Sequence, residues 1–309
     1  MFNHLLIPLD GSPLAETALP AAWYLAKTLN ANVTLLHLIE RNAPPEVHHA
    51  RHLRTADEAT AYLDEVRRRA FPKTLPVTTH VHTTEISDVA RSIADHAAEF
   101  TNDLIVMCTH GQGGPRRWLF GSNAQQVIAL SKTSVLLIPP TPDQTAISFH
   151  CEHIVVPLDG NAEHEQGLRV AMELAQACRS ALHIVLVIPT LDKLKGEKAA
   201  TGKLLPRTMT ALLDMSQASA EEYLRDHLVR VQATGLSATA EIARGDAVAA
   251  IVDALKHAGA DLLALGTHAK TGMDAFWSGS LTPTIVERSP VPLLLVPIHA
   301  GVQLNRPPA

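Results

Sequence analysis

At 309 residues the chain is long for one core, and the prior is two domains of about 150 residues each. Hydrophobic residues make up 46% and charged residues 18%, a globular balance too apolar for a disordered chain. A net charge of -5 excludes a global attraction to nucleic acid or anionic lipid, and the one basic cluster, Arg67-Arg68-Arg69, reads as a solvated helical face.

The N-terminus, MFNHLLIPLDG, runs straight into a strand-like stretch with neither a charged leader nor a long apolar region. No apolar run approaches the roughly 20 residues that span a bilayer. Cys108, Cys151 and Cys178 form no C-x-x-C pair and no even disulfide set, which fits a reducing compartment. The expectation is a cytoplasmic protein with no membrane and no nucleic-acid partner.

The first predicted strand is Leu5-Leu6-Ile7-Pro8-Leu9, stopped by Asp10-Gly11-Ser12. ETALPAAWYLAKTLNA follows with helical periodicity at Leu19, Ala22, Trp23 and Ala26, then a strand, VTLLHLI, over 33–39. Next come a helix, a strand carrying His80 and His82 on one face near a surface, and DVARSIADHAAEFTNDLIVMCTH, which reads helix, turn ending in Asp, strand. A glycine-dotted loop over 109–121 opens into the helix SNAQQVIAL, and SVLLIPP is the last strand of this half.

The second half restates the first. Ile154-Val155-Val156-Pro157-Leu158-Asp159-Gly160-Asn161 matches the first strand, and EQGLRVAMELAQACRSA and HIVLVIP match the next helix and strand. DAVAAIVDALKHAGADLLALGTH aligns without a gap, SLTPTIVER is the later helix and PLLLVPI the last strand. The offset between halves grows from 149 to 158, and the extra residues fall in the loop-like TLDKLKGEKAATGKLLPRT over 190–208. Strands separated by helices mean a parallel sheet with right-handed crossovers and helices on both faces. The expected architecture is therefore α/β, two tandem doubly wound domains over 1–141 and 152–299. A stiff, proline-bearing linker over 142–151 joins them, and a tail covers 300–309.

Ligands of such sheets bind beyond the carboxyl ends of the strands, where strand order reverses. Each half brings two features there, the Asp ending strand 1 (Asp10, Asp159) and the glycine loop after strand 4. A loop poor in side chains exposes backbone N–H groups, and the helix it opens carries partial positive charge at its start. Ser122 is positioned to cap that helix in a box with Gln125, and Ser280 to cap its counterpart. A phosphate against Gly121-Ser122 or Gly279-Ser280 is the chemical expectation. The alternatives are loops that only turn the chain, and aspartates that only form an Asx turn or cap the next helix. There is no G-x-G-x-x-G after strand 1, no Walker loop and no G-x-S-x-G elbow.

A strand ending in Pro-Leu-Asp-Gly-Ser, a Thr-His strand exit and Gly-Ser after the loop together resemble the universal stress protein (UspA) family, over nearly the whole chain and twice. The resemblance implies a five-stranded sheet of order 3-2-1-4-5 in each half. It also implies a motif G-x-x-G-x9-G-[S/T] that holds an adenine nucleotide, ATP or AMP, with or without magnesium. Carried over, the nucleotide-binding candidates in the first half are Asp10, Leu38, Gly111, Gly114, Gly121, Ser122 and Asn123. In the second half they are Asp159, Ile188, Gly266, Gly272, Gly279, Ser280 and Leu281. Each half has lost one motif glycine. Cys108 replaces the first in one half and Ala269 the middle one in the other. Arg116 and Arg117 are available to phosphate in the first loop, while the second has Lys270 but also Asp274.

His110 and His268 sit beside the expected phosphates, with no partner base to make them catalytic. His48 and His52 have an i, i+4 spacing with His49 between them on a possible helix, but no third ligand is near in sequence, and no metal is assigned. The leading reading is a nucleotide-binding sensor of the stress response that signals to a protein partner and assembles as a homodimer. A non-binding interaction protein and a slow ATPase are the alternatives. No carboxylate cluster for Mg²⁺ supports the last.

Overall fold

The computed structural model describes residues 1–48, 50–109, 121–140, 148–160, 165–190, 206–268 and 281–298, and the backbone alone at Val47, 206–216 and His268. Two units emerge. One comprises Met1–His150 with His268–Pro297, the other Cys151–Thr267 with Ile298–Ala309.

In the first unit β1 (His4–Pro8), β2 (Asn32–Glu40), β5 (Val77–Ile86), β6 (Leu104–Cys108) and β7 (Ser134–Ile138) run parallel in the order β5-β2-β1-β6-β7. That is the expected 3-2-1-4-5. The central strands are unbroken apolar runs because both faces are covered, and Leu5, Leu6, Ile7, Leu104, Ile105 and Leu136 are fully buried. At the end of the order, β5 is VTTHVHTTEI, half-buried and polar, which suits an edge strand. β12 (Leu293–Ile298), the last strand of the second repeat, pairs antiparallel with β7, Leu293 opposite Leu137 and Leu295 opposite Val135. This pairing of the last strands of the two repeats explains why residues 268–297 group with the first unit.

The helices are α1 (Pro13–Glu16), α2 (Leu19–Leu29), α3 (Ala56–Ala70), α4 (Val89–Glu99) and α5 (Ser122–Leu130). Ser12, Thr55 and Asp88 cap α1, α3 and α4 with side-chain oxygens. On α3, Arg67, Arg68 and Arg69 pair with Asp64, Glu65 and Glu16, so the basic cluster is a solvated, ion-paired face. The segment carrying His48 and His52 is not a helix. β3 (Glu46–Val47) and β4 (Ala50–Arg51) form a small antiparallel hairpin, with His48 at φ +47 in its turn. Helical spacing misled here because Pro44 and Pro45 precede it and favour an extended chain.

The second unit repeats the plan with β8 (His153–Leu158), β9 (Ala181–Ile188), β10 (Ala238–Arg244) and β11 (Leu262–His268), in the order β10-β9-β8-β11. Its helices are α6 (Glu165–Cys178), α7 (Pro206–Ala233) and α8 (Ala247–His257), and α9 (Thr282–Arg288) lies in the segment grouped with the first unit. The region read as loop over 190–208 becomes helical from Pro206, and α7 is 28 residues against 15 in α3.

One device is written twice. Asp103 accepts the Asn3 and His4 N–H groups at 2.7 and 3.0 Å, clamping the start of β1 to the start of β6. Asp261 accepts those of Glu152 and His153 at 2.8 and 3.2 Å and does the same for β8 and β11. These are the aspartates that the sequence placed at the end of the turn before each fourth strand. They fix the register of the strands whose far ends carry Asp10 and Asp159.

Candidate functional site

β1 ends at Pro8 and hands the chain to a tight turn. Gly11 has φ +89, which favours glycine, and a Cβ there would also press on the Leu53 side chain at 3.0 Å. Gly160 repeats the left-handed turn at φ +78. Asp10 Oδ1 accepts the Ser12 N–H at 2.9 Å and the Ser12 hydroxyl at 2.6 Å. The Ser12 oxygen in turn accepts the Ala15 N–H at 3.2 Å. The Asx-turn role weighed for Asp10 is thus real, and it engages Oδ1. Oδ2 lies 3.7 Å from His48 Nε2.

Asp10, Leu38, Asn123 and Cys108 meet in one cleft at the carboxyl ends of β1, β2 and β6. It encloses about 660 Å³, part of it open to solvent, within the range of small-molecule sites. Leu38, Val89, Ile93 and Met107 make an apolar wall. At the other side α5 starts at Ser122 with Gly121 as its N-cap, at φ -66 and ψ 143, and no side chain caps it. The expected Ser122 cap is therefore corrected: Ser122 is already helical, and the N-cap is Gly121, which has no side chain to cap with. Gly111 and Gly114, with His110, Arg116 and Arg117, lie outside the described residues.

Two polar residues of this region were missed from sequence. His37 and Glu40 line the cleft, and His52, weighed in the sequence only for its spacing from His48, packs beside them, 2% exposed. His37 Nδ1 lies 2.8 Å from the Leu9 carbonyl and donates to it, while Nε2 meets no partner in hydrogen-bonding geometry, with the Leu53 backbone nearby. Burial holds His37 and His52 below the usual histidine range, so both rings favour the neutral form. Burial, then the Asp10 charge, raises the Glu40 carboxyl. The available signal was polar residues interrupting an apolar strand at its carboxyl end, LLHLIE.

Cys108, in the place of the first motif glycine, is 4% exposed. Burial, reinforced by Asp10, pushes its thiol up to about 12. It is an inert packing thiol rather than a redox group.

The second unit places Asp159 exposed beyond β8 and Ile188 buried at the end of β9. Gly266, within β11, is a packing glycine. α6 crosses it through Gly167, and a Cβ on Gly167 would come within 2.6 Å of the Gly266 nitrogen. The equivalent positions of the first unit are Ala18 and Cys108, both buried. Leu281 stands at the N-cap of α9, 43% exposed. Gly272, Gly279, Ser280, Ala269, Lys270 and Asp274 lie outside the described residues, as does the side chain of His268.

A buried Glu–Tyr contact recurs beside each strand-1 turn. Tyr62 donates to Glu16 at 3.1 Å, and Tyr223 donates to Glu165 at 3.0 Å. Burial first, then the glutamate charge, raises both phenols far above their usual range. Arg69 completes the first contact and His227 the second, each through the same glutamate at 2.7 and 3.1 Å.

The chain matches the universal stress protein family model twice, over residues 1–139 and 150–297. It is 32% identical to a universal stress protein of Synechocystis sp. over 139 residues, which is 45% of this chain and 87% of that one. It is 30% identical to a universal stress protein of Bacillus subtilis over 152 residues, 45% of this chain and 99% of that one. A universal stress protein from Archaeoglobus fulgidus superposes with a TM-score of 0.68 at 16% identity, over 97% of this chain and 100% of that one, which speaks to fold alone. Among the described residues no helix is long and apolar enough to cross a membrane. Two family matches in tandem, on two units with the same strand order and the same aspartate clamps, lead to one conclusion: the chain belongs to the universal stress protein family.

Proposed function

We propose that this protein is a sensor that binds an adenine nucleotide, ATP or AMP, in the cleft of its first unit. The supporting observation is that Asp10, Leu38 and Asn123, distant in sequence, line one cleft that ends at an uncapped helix start. The donor set fits the ligand. Apolar Leu38, Val89, Ile93 and Met107 suit a flat base, and the Asp10 carboxylate accepts from ribose hydroxyls. The N–H groups that open α5, with a glycine at the N-cap, favour phosphate. Glu40 would repel phosphate when ionised, and burial with the Asp10 charge works against its ionisation. Occupancy would order the cleft and bias a surface read by a protein partner, in a cytoplasmic homodimer.

The test is mass analysis of small molecules released on denaturing fresh protein, with melting curves in added ATP and AMP, with and without Mg²⁺. Gly121→Asp is the sharpest variant, because its φ suits any residue and Asp is a good N-cap. It keeps the helix and puts a carboxylate where phosphate would rest. Nucleotide shifts seen in the parent and lost in Gly121→Asp and Asp10→Ala support the reading. No release and no shift would favour an interaction protein, the reading to which Cys108 in a motif glycine's place points.

A further inference from the structure

The geometry points to a divalent transition-metal site, formed by His80, His82 and His96 at the edge of the first unit. Among the described residues these are the one group of three or more candidate ligands whose ligand atoms all lie within 4.8 Å of one another. The fold builds the group in two steps. His80 and His82 are two apart on β5, so their side chains leave the same face, opposite Leu36 and Leu38 of β2 in register. Asp88 caps α4 through the Arg91 N–H at 2.9 Å, and α4 lays His96 over that face. The ring centroids of His80 and His82 then lie 5.3 and 4.9 Å from that of His96.

The orientation of His96 is what a metal ligand requires. Its Nδ1 lies 2.7 Å from the Ser92 carbonyl one turn back and donates its proton there, which fixes the tautomer and leaves the Nε2 lone pair for an ion. Phe100 packs against His80 and His96 at 4.9 and 5.4 Å and closes one side with an apolar wall. Three imidazoles with a fourth position left to water or a carboxylate is a zinc-type donor set. Zn–N bonds of about 2.0–2.1 Å in a tetrahedron set nitrogens roughly 3.3 Å apart, so the rings close by small rotations about χ1 and χ2. Burial and the two neighbouring histidines lower His80, against a smaller opposite pull from Glu99, so this ring favours the neutral form that binds metal.

The plain alternative is an aromatic cluster in which the rings only pack. Calorimetric titration of the EDTA-stripped full chain with Zn²⁺, and visible absorption on adding Co²⁺, separate the two. The expected result is one tight equivalent per chain and the intense band of tetrahedral Co²⁺. Both should weaken at least about a hundredfold in His80→Gln and His82→Gln, which are half-exposed and leave the helix intact. His257→Gln, an exposed histidine of the second unit, should bind as the parent does. No tight equivalent in the parent overturns the proposal, as does undiminished binding in the His80→Gln/His82→Gln double variant. Because no nucleotide enters these measurements, they stand or fall apart from the proposed cleft.

Discussion

Gly167→Ala tests how closely α6 crosses β11 at Gly266. The added Cβ would lie 2.6 Å from the Gly266 nitrogen, 3.1 Å from the Leu265 carbonyl carbon and 3.3 Å from the Gly266 Cα. All three are backbone atoms of β11, so no side chain can swing away. The closest contact is roughly 1 Å short of the 3.5 Å at which such atoms attract, and α6 must retreat along its length. Overpacking of this kind costs about 1–3 kcal/mol. Exchanging Gly for Ala returns at most about 1 kcal/mol of helix propensity, less in a first turn. The balance is a loss of about 1–2 kcal/mol, read by urea denaturation at equilibrium with an unchanged slope. A stability equal to or above that of the parent would refute the reasoning, since it would mean that the crossing yields freely.

Asp103→Ala and Asp261→Ala should each destabilise by about 1–2 kcal/mol, since each strands two backbone N–H groups at the start of a first strand, though near solvent. Differential scanning calorimetry should show a melting shift of several degrees for both, while Asp64→Ala, in an exposed ion pair, stays near the parent. Cys108 should resist iodoacetamide in the folded protein at pH 8 and react only on unfolding, because its thiol is buried and raised to about 12. Labelling of Cys108 at the rate of a free thiol would contradict the packing. His37 gives a pH dependence. Its folded pKa lies below the ordinary 6.5, so the unfolded chain takes the proton first. Its contribution is complete above pH 6.5 and is lost as pH falls through the folded value. His37→Asn, which keeps a donor for the Leu9 carbonyl, should flatten the fall of the urea midpoint between pH 7 and 5. Glu40 works with the opposite sign, stabilising at low pH and losing that contribution as pH rises through its raised pKa, so Glu40→Gln should steepen the fall.

The architecture was legible because it rests on short-range signals repeated twice. Apolar runs stopped by Asp-Gly, amphipathic stretches and an aspartate before each fourth strand survive in LLIPLDG and IVVPLDG, and in TNDLIVM and GADLLAL. What local pattern cannot carry is the company a side chain keeps. Asp10 was legible as a residue and as an Asx turn, but not its place beside His37, His48 and Glu40. His80 and His82 were legible as one face of a strand, whereas His96 joins them from a helix 14 positions on, by way of a crossover that no periodicity encodes. The His48–His52 spacing shows the converse error. Four residues apart means one face only on a helix, and the hairpin β3–β4 removes that premise.

The two repeats diverge in how they use the same crossing, and this bears on which could hold a ligand. In the second unit Gly167 and Gly266 bring helix and strand into backbone contact, and it is Gly167 that the crossing holds to glycine. In the first unit Ala18 and Cys108 fill that space with side chains, both buried, and the strand still ends in a cleft beside Asp10. Loss of the first motif glycine does not close the cleft, which Cys108 itself lines while its thiol also meets Thr17. A Cys108→Gly variant, which restores the motif, would then lose packing without gaining nucleotide affinity. If instead affinity rose tenfold or more on that change, the thiol would be shown to crowd the ribose, and the first unit would be a site that sequence divergence has narrowed.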